Sequence, residues 1–281
     1  MTITIRTLSD ADLEEADEIL KAAFQSPASR LEDLRFYRQL EPEGWSVACQ
    51  GDELIGMVGA VCYGAFAHVG LMAVHPRAQR QGAGMALMQF LLDRLDRQVP
   101  VITLDASAMG RPLYEKLGFV GFEETYIYQF PRPASRAPDT SRVQSITEGE
   151  LDELAAWDAG MFGANRRKVF EALLRLIPER AFLHRDAHGR LDGYLFAQKN
   201  RIGPWVALES GSAGELLQAA LALPDEGMPS AAVPAENRAA MELLERCGFE
   251  KVRSNLHMGR HIQSIPGRRD KIYALTSLAA G

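Results

Sequence analysis

The sequence predicts an α/β (α+β) protein built from two similar halves, and three observations predict it. Patterns typical of β-strands alternate with patterns typical of amphipathic helices along the chain. A proline-rich segment with almost no apolar residues interrupts this alternation at 131–142. Landmarks of the front half recur in the rear half at a constant offset of 130 residues. We therefore expect domains at 1–130 and 143–281, joined by a linker at 131–142.

Composition excludes several classes of protein. Hydrophobic residues make up 47% and charged residues 24% of the 281, as in globular proteins. The chain has no run of 18 apolar residues and no apolar segment typical of a signal peptide at its start, so we expect a cytoplasmic protein that does not interact with membranes. The cysteines, Cys49, Cys62 and Cys247, lack metal-binding or redox spacing and are expected to be reduced thiols, with no metal site.

The first half opens with a strand pattern at 3–6. Ser9 and Asp10 are placed to cap a helix that runs to Phe24, because the apolar positions that follow share one helical face. A shorter helix is predicted at 31–40. Strands are then predicted at 45–49, 54–63 and 67–74, the first two joined by a turn at Gly51-Asp52.

A glycine-containing turn follows the third of these strands and precedes a helix over 85–95. The first amides of a helix lack intrahelical partners and carry partial positive charge. Gly82 and Gly84 leave those amides unshielded, and Arg80 adds a cation, so the turn is suited to bind a phosphate. A P-loop is disfavoured because no lysine follows Gly84, and a dinucleotide fingerprint is disfavoured because only two glycines are present.

The remaining elements of the first half are a β-branched strand at 101–104, a helix around Tyr114 and a last strand at 124–130 that would complete the domain. Pro112 suits the first turn of the helix, and Gly118 suits its C-terminal cap.

These motifs together resemble the GNAT superfamily of N-acetyltransferases. Gln79-x-x-Gly82-x-Gly84 is similar to its Q/R-x-x-G-x-G/A signature, and Leu-Tyr-Glu-Lys-Leu-Gly-Phe at 113–119 is similar to its second hallmark. The resemblance implies a mixed, mostly antiparallel sheet flanked by helices in each half. It also implies acetyl-coenzyme A as the cofactor, with its pyrophosphate bound by the turn.

The resemblance also assigns roles to residues. Tyr114 would protonate the departing thiolate, and a bulge in the strand before the turn would present a backbone amide to the oxyanion. A glutamate acts as general base in some members, and His68 occupies its position here; a water chain or free amine in solution are the alternatives. The residues implied to bind the cofactor are Met72, Ala73, Val74, Gln79, Arg80, Gln81, Gly82, Ala83, Gly84, Ser107 and Tyr114.

The sequence of the rear half indicates a degenerate copy of the front half. Gly84, Ser107, Tyr114, Gly118 and Phe119 correspond to Gly214, Asn237, Leu244, Gly248 and Phe249. Glu209 stands at the position of Gln79 and Ser212 at that of Gly82, and a carboxylate there would repel a pyrophosphate. Leu244 cannot donate a proton. The rear half is therefore predicted to be non-catalytic, and it resembles the C-terminal domain of two-domain GNAT proteins of the YitH-like group.

The net charge of the front half indicates which binding partners it favours. Residues 1–130 contain 11 Lys and Arg against 18 Asp and Glu, which favours a cationic amine and disfavours nucleic acid. The run Arg166-Arg167-Lys168 is expected to be a solvated helix face.

The expected activity is acetyl transfer to a primary amine of a small molecule (an amino acid, amino sugar or polyamine) by direct attack in a ternary complex. Two alternatives stay open: a non-catalytic acyl-CoA-binding or regulatory protein, and a protein lysine or N-terminal acetyltransferase. A monomer and a homodimer are both compatible with the sequence, and the rear half would either wall the acceptor pocket or form a dimer surface.

Overall fold

A computed structural model of the chain describes residues 2–131, 142–223 and 227–281. The front half contains strands β1 (Ile3–Thr7), β2 (Trp45–Gln50), β3 (Glu53–Cys62), β4 (Ala67–Val74), β5 (Ile102–Ala106) and β6 (Val120–Gln129), and helices α1 (Leu13–Phe24), α2 (Leu31–Leu40), α3 (Ala83–Leu95) and α4 (Arg111–Lys116). The rear half contains strands β7 (Val143–Ser145), β8 (Ala181–Arg185), β9 (Leu191–Gln198), β10 (Arg201–Ala207), β11 (Ser230–Pro234), β12 (Glu250–Arg260) and β13 (Ile272–Ala274), and helices α5 (Leu151–Phe162), α6 (Arg167–Leu176), α7 (Ser210–Leu221) and α8 (Arg238–Arg246). The predicted linker lies outside the described residues except for Pro131 and Arg142.

The described strands form one continuous sheet, in the order β1-β2-β3-β4-β5-β12-β6-β11-β10-β9-β8-β7, with β13 paired to β10. Among the described strands, only β4 with β5 and β10 with β11 pair in parallel, and the other described pairs are antiparallel. The predicted α/β class, with a mixed and mostly antiparallel sheet flanked by helices, is confirmed.

The two halves exchange their last long strands. Strand β12 of the rear half lies between β5 and β6 of the front half, and β6 pairs with β11 of the rear half. The strand predicted at 124–130 therefore pairs with strands of the rear half on both sides. The sequence of either strand does not specify its neighbours, because pairing depends on which sheet edge is available and not on the strand alone.

The helices cover the sheet on both faces. On one face, α1 and α2 pack with α5 and α6 over a single hydrophobic core to which both halves contribute. On the other face, α3 and α4 cover one core of the front half, and α7 and α8 cover another of the rear half. The face with the shared core is therefore the one on which a site between the halves can form.

The basic run at 166–168 departs from its predicted exposure. Arg166 is fully buried beneath the shared core and pairs with Asp158. Lys168 reaches the front half, where its ammonium group contacts Glu41 and the carbonyl of Cys62. A solvated helix face was the wrong prediction here, because charge runs do not reveal whether a partner carboxylate is buried alongside them.

Within the described ranges, no helix is both long and apolar enough to cross a bilayer.

Candidate active site

Strand β4 carries a bulge at the position where the resemblance places the oxyanion. Its register with β3 holds up to Gly70 and resumes at Ala73, so that Leu71 and Met72 lie opposite Val58 alone. Leu71 has a φ of 49°, in the left-handed region that a leucine in a strand adopts only under constraint. The bulge turns the backbone amides of this stretch out of the regular ladder.

Strands β4 and β5 diverge just before the bulge. Their parallel pairing ends at Val69 opposite Leu104, and Asp105 is the first β5 residue beyond it. No other strand of the described residues enters this gap. The backbone groups of β4 that face the gap are therefore available to an extended ligand, as the resemblance implies for the pantetheine arm.

The turn before α3 has the features of an anion site. Gly82 is the N-cap of α3, with a φ of 90°, and no side chain caps the helix. A Cβ at Gly82 would meet nothing within 4 Å, so a phosphate can approach the free amides of the first turn. A Cβ at Gly84 would lie 3.1 Å from Cε of Met72, which shows that this turn and the bulge are adjacent.

The two glutamines of the turn contact its backbone, whereas its arginine is exposed. The side-chain amide of Gln79 donates to the carbonyl of Val74 at 3.0 Å, and that of Gln81 donates to the carbonyl of Arg77 at 2.8 Å. One N–H of each glutamine side chain thus holds the turn in shape, and each amide keeps a second N–H donor. Arg80 is exposed, with a φ of 61°, and supplies the cation of the turn.

Tyr114 lies on α4 at the edge of the same region. Its ring packs edge-on against Phe119, and its hydroxyl has no hydrogen bond to any described residue. Burial raises the pKa of Tyr114 to about 12, so the phenol is fully protonated at neutral pH. The hydroxyl of Ser107 accepts from the amide of Gly110 at 3.1 Å and so fixes the start of α4.

His68 is buried on the opposite face of the sheet from α3, and protein groups engage both of its ring nitrogens. Its Nε2 is 3.4 Å from the carbonyl of Leu278 and 3.5 Å from Oδ2 of Asp105, and its Nδ1 is 3.0 Å from Oγ1 of Thr103. A carbonyl oxygen only accepts, so Nε2 carries the proton and Nδ1 accepts from the hydroxyl of Thr103, which also lies 3.5 Å from the carbonyl of Ala67. Burial lowers the pKa of His68 to about 4, against the opposing charge of Asp105.

Asp105, His257 and Arg269 form a polar cluster beside His68 that sequence reasoning missed. The Asp105 side chain is fully buried, and its Oδ1 lies 3.3 Å from Nδ1 of His257 on the exchanged strand. Three buried atoms of the cluster lack a hydrogen-bond partner among the described residues: Oδ2 of Asp105, Nε2 of His257 and Nη2 of Arg269. The one signal for the cluster in the sequence was Asp105, a carboxylate that directly follows the strand predicted at 101–104.

The cluster is not a metal centre by its geometry. Across the ranges that the structure describes, no group of three or more His, Cys, Asp or Glu side chains could hold a metal ion. Instead His68, Thr103, His257 and Arg269 line one cavity, which Phe162 and Pro266 of the rear half border and which has room for a water molecule.

The rear half has the same strand divergence, but its own chain fills it. Strands β10 and β11 pair only through residues 201–202 and 230–231. Beyond these pairs β13 enters the gap, with Ala274 opposite Trp205 and the amide of Leu275 donating to the carbonyl of Ala232. An extended ligand arm therefore has no free backbone to pair with here.

The comparisons with known proteins agree with this geometry. A family model described as an acetyltransferase (GNAT) domain matches residues 8–128, and a second model of the same description matches residues 154–274. The chain belongs to the GNAT acetyltransferases. The two matches lie in tandem, one in each half of this GNAT protein, as the sequence motifs predict.

Individual relatives cover most of the chain. The curated protein YitH of Bacillus subtilis, described as an uncharacterized N-acetyltransferase, is 26% identical over 235 residues, or 82% of each chain. The crystal structure of a putative acetyltransferase from Pyrococcus horikoshii is 28% identical, with a TM-score of 0.87 over 99% of this chain and 96% of that one. A GCN5-related N-acetyltransferase from Sphaerobacter thermophilus shares the fold, with a TM-score of 0.69 at 20% identity over 92% of this chain and 95% of that one.

Proposed function

We propose that the protein is an acetyl-CoA-dependent N-acetyltransferase that acetylates a primary amine of a small molecule by direct attack in a ternary complex. The front half would hold the cofactor and carry out the reaction. The observation that carries the proposal is the difference between the two strand gaps: the gap at β4 is open next to an uncapped helix, whereas the gap at β10 is filled by β13.

The residues of the front half fit acetyl-coenzyme A in two respects. The amides at the start of α3 and the guanidinium of Arg80 would bind the pyrophosphate. The backbone of β4 at Met72, Ala73 and Val74 would pair with the pantetheine arm, and an amide at the bulge would stabilise the oxyanion. Bound acetyl-coenzyme A supplies the activated acyl group as a thioester.

Tyr114 would serve the departing sulfur. Its raised pKa keeps the phenol protonated, and its hydroxyl is not committed to another described residue. Because an ordinary thiol has a pKa of about 8.5, a phenol with a higher pKa is suited to stabilise the thiolate by donating a strong hydrogen bond as the C–S bond breaks.

The amine acceptor would approach from the face that carries the shared core. The rear half supplies part of this face through α5 and the exchanged strand β12, and it would thereby wall the acceptor site, one of the two roles expected for it. The acidic excess of the front half favours an amine that is cationic in solution.

The proposal is tested by calorimetry with acetyl-CoA and by thiol release with a panel of amines: the twenty amino acids, glucosamine, spermidine and a lysine-containing peptide. We expect one binding event per chain and release only with a small amine. Binding without release with any amine would favour a non-catalytic acyl-CoA-binding protein, release only with the peptide would favour a protein acetyltransferase, and no heat at all would overturn the assignment.

The variant Gly82→Val tests the anion site. The new side chain occupies the space through which a phosphate reaches the amides of α3, and it also strains a position with a φ of 90°. Loss of one or two charge-assisted hydrogen bonds predicts acetyl-CoA binding weaker by roughly 10–100-fold in calorimetry.

The matched control is Gly211→Val at the start of α7, where an added Cβ also meets nothing within 4 Å. We expect this variant to bind acetyl-CoA like the wild type. Equal weakening in both variants would contradict the placement of the cofactor in the front half.

A further inference from the structure

The two buried histidines of the acceptor face differ in their protonation geometry. In His68, Nε2 carries the proton and the lone pair on Nδ1 already accepts from Thr103. In His257, Nδ1 faces the carboxylate of Asp105, which can only accept, so Nδ1 carries the proton. The neutral ring of His257 therefore has its lone pair on Nε2.

That lone pair is unused within the described structure. Nε2 of His257 is buried without a hydrogen-bond partner, and its ring lines the cavity that it shares with Arg269. Leaving such a buried atom unpaired destabilises the fold, so its presence calls for a function or a bound molecule. Both ring nitrogens of His68, by contrast, have protein partners, Thr103 at Nδ1 and the carbonyl of Leu278 at Nε2.

The strand exchange places His257 at the mouth of the open gap. Its partner across the ladder is Asp105, the first residue of β5 beyond the pairing with β4. One strand spacing, about 4.8 Å, separates these two backbones. Asp105 binds Nδ1 and so orients the ring, which is the arrangement by which a carboxylate fixes the tautomer of a basic histidine.

We propose that His257, oriented by Asp105, accepts the proton that the acceptor amine loses during acetyl transfer. This inference rests on the proposed function of the front half. The rear half then contributes a basic group to the reaction that its partner half carries out, although its own ligand gap is filled.

The step balances in atoms and protons. The amine nitrogen forms a bond to the acetyl carbon, and the C–S bond breaks with its electron pair on the sulfur, which accepts a hydrogen bond from Tyr114. The nitrogen loses one proton, which passes through a water molecule in the cavity to Nε2 of His257. Exchange with solvent then returns the imidazolium to its neutral form and protonates the thiolate.

The kinetic test compares His257→Gln with the wild type, using the amine of the panel that gives the highest rate of thiol release. We expect kcat to fall by roughly 10²–10⁴-fold, the usual effect of losing a general base, with acetyl-CoA affinity unchanged. When rates are normalised to the unprotonated amine, the wild type should keep a limb that rises with pH, and the variant should lack it. The charged groups that face His257 are Asp105, His68, Glu123 and Arg269.

Two controls separate this role from a structural one. His261→Gln changes an exposed histidine just beyond the end of β12 and should leave rate and pH profile unchanged. His68→Gln should keep the rising limb, because both ring nitrogens of His68 already have protein partners. A flat profile in His68→Gln together with a rising limb in His257→Gln would overturn the proposal in favour of His68.

A measurement on the unmodified protein keeps the proposal testable if His257→Gln does not fold. Nitrogen NMR of the histidine rings should show His257 with its proton on Nδ1 and His68 with its proton on Nε2. A proton on Nε2 of neutral His257 would overturn the proposal. Absence of heat with acetyl-CoA would instead overturn the proposed function, and binding without thiol release with any amine would overturn both.

Discussion

Replacing Tyr114 with phenylalanine is expected to lower turnover by roughly 100-fold at an unchanged fold. The substitution removes only the hydroxyl, and that hydroxyl bonds to no other described residue, so packing against Phe119 is retained. What is lost is the hydrogen-bond donor for the departing thiolate. The measurement is kcat from thiol release, with acetyl-CoA affinity and Tm as the checks on binding and folding.

The pH dependence of the wild type provides a second check on Tyr114. Burial raises the pKa of the phenol to about 12, and activity that needs the protonated phenol is lost only as pH rises through that value. We therefore expect no alkaline decline in kcat from this residue up to about pH 10. The control is Tyr126→Phe on β6, which should retain the wild-type rate. Normal turnover in the Tyr114→Phe variant would remove Tyr114 from the reaction.

Replacing Arg166 with methionine should destabilise the protein by about 3–5 kcal/mol, because it leaves the buried carboxylate of Asp158 without its cation. Arg166 and Asp158 are both fully buried and form two hydrogen bonds, of 2.8 and 3.0 Å. The guanidinium also donates to Tyr194 at 2.6 Å and lies 3.9 Å from the ring centre of Phe162. Burial alone would lower the pKa of Arg166, but the charge of Asp158 outweighs it and raises the pKa above its ordinary value.

The measurement is the free energy of unfolding in urea. Two further variants test whether the buried ion pair is the cause of the lost stability. Arg167→Met changes the neighbouring arginine, which is 38% exposed and pairs with Asp152 and Glu171, and should stay within about 0.5 kcal/mol of the wild type. The double variant Arg166→Met/Asp158→Leu should recover much of the lost stability, since no unpaired charge then remains. A loss of similar size for Arg166 and Arg167 would show that the buried pair is not the source.

The Arg166 network also bears on the face where the acceptor would bind. Its Nη1 donates to Oγ1 of Thr276 at 3.2 Å, at the start of a segment that crosses to the front half. Farther along that segment, Ala279 packs closely on Gly70, because a Cβ added at Gly70 would lie 2.3 Å from Cα of Ala279. The carbonyl of Leu278 in the same segment contacts His68. The buried pair in the rear half thus anchors a segment that lines the site of the front half.

Local sequence was sufficient for most of the front half. The predicted helix at 31–40 matches α2, and the glycine turn precedes α3 as expected, because caps, turns and amphipathic periodicity act over a few residues. The sequence also indicated that the rear half has diverged from the front half, since Leu244 replaces a tyrosine and Glu209 stands near the start of α7. The family, the tandem arrangement and the fold class followed from these signals and are confirmed.

The sequence by itself thus determined the elements, their order and the family, whereas only the tertiary structure decided how the halves share their sheet. The exchange of β6 and β12 places His257 beside Asp105 at a sequence separation of 152 residues, and it buries Arg166 where a solvated face was expected. The physical reason is that strand pairing and charge burial depend on which surfaces meet in three dimensions, and no local pattern records that.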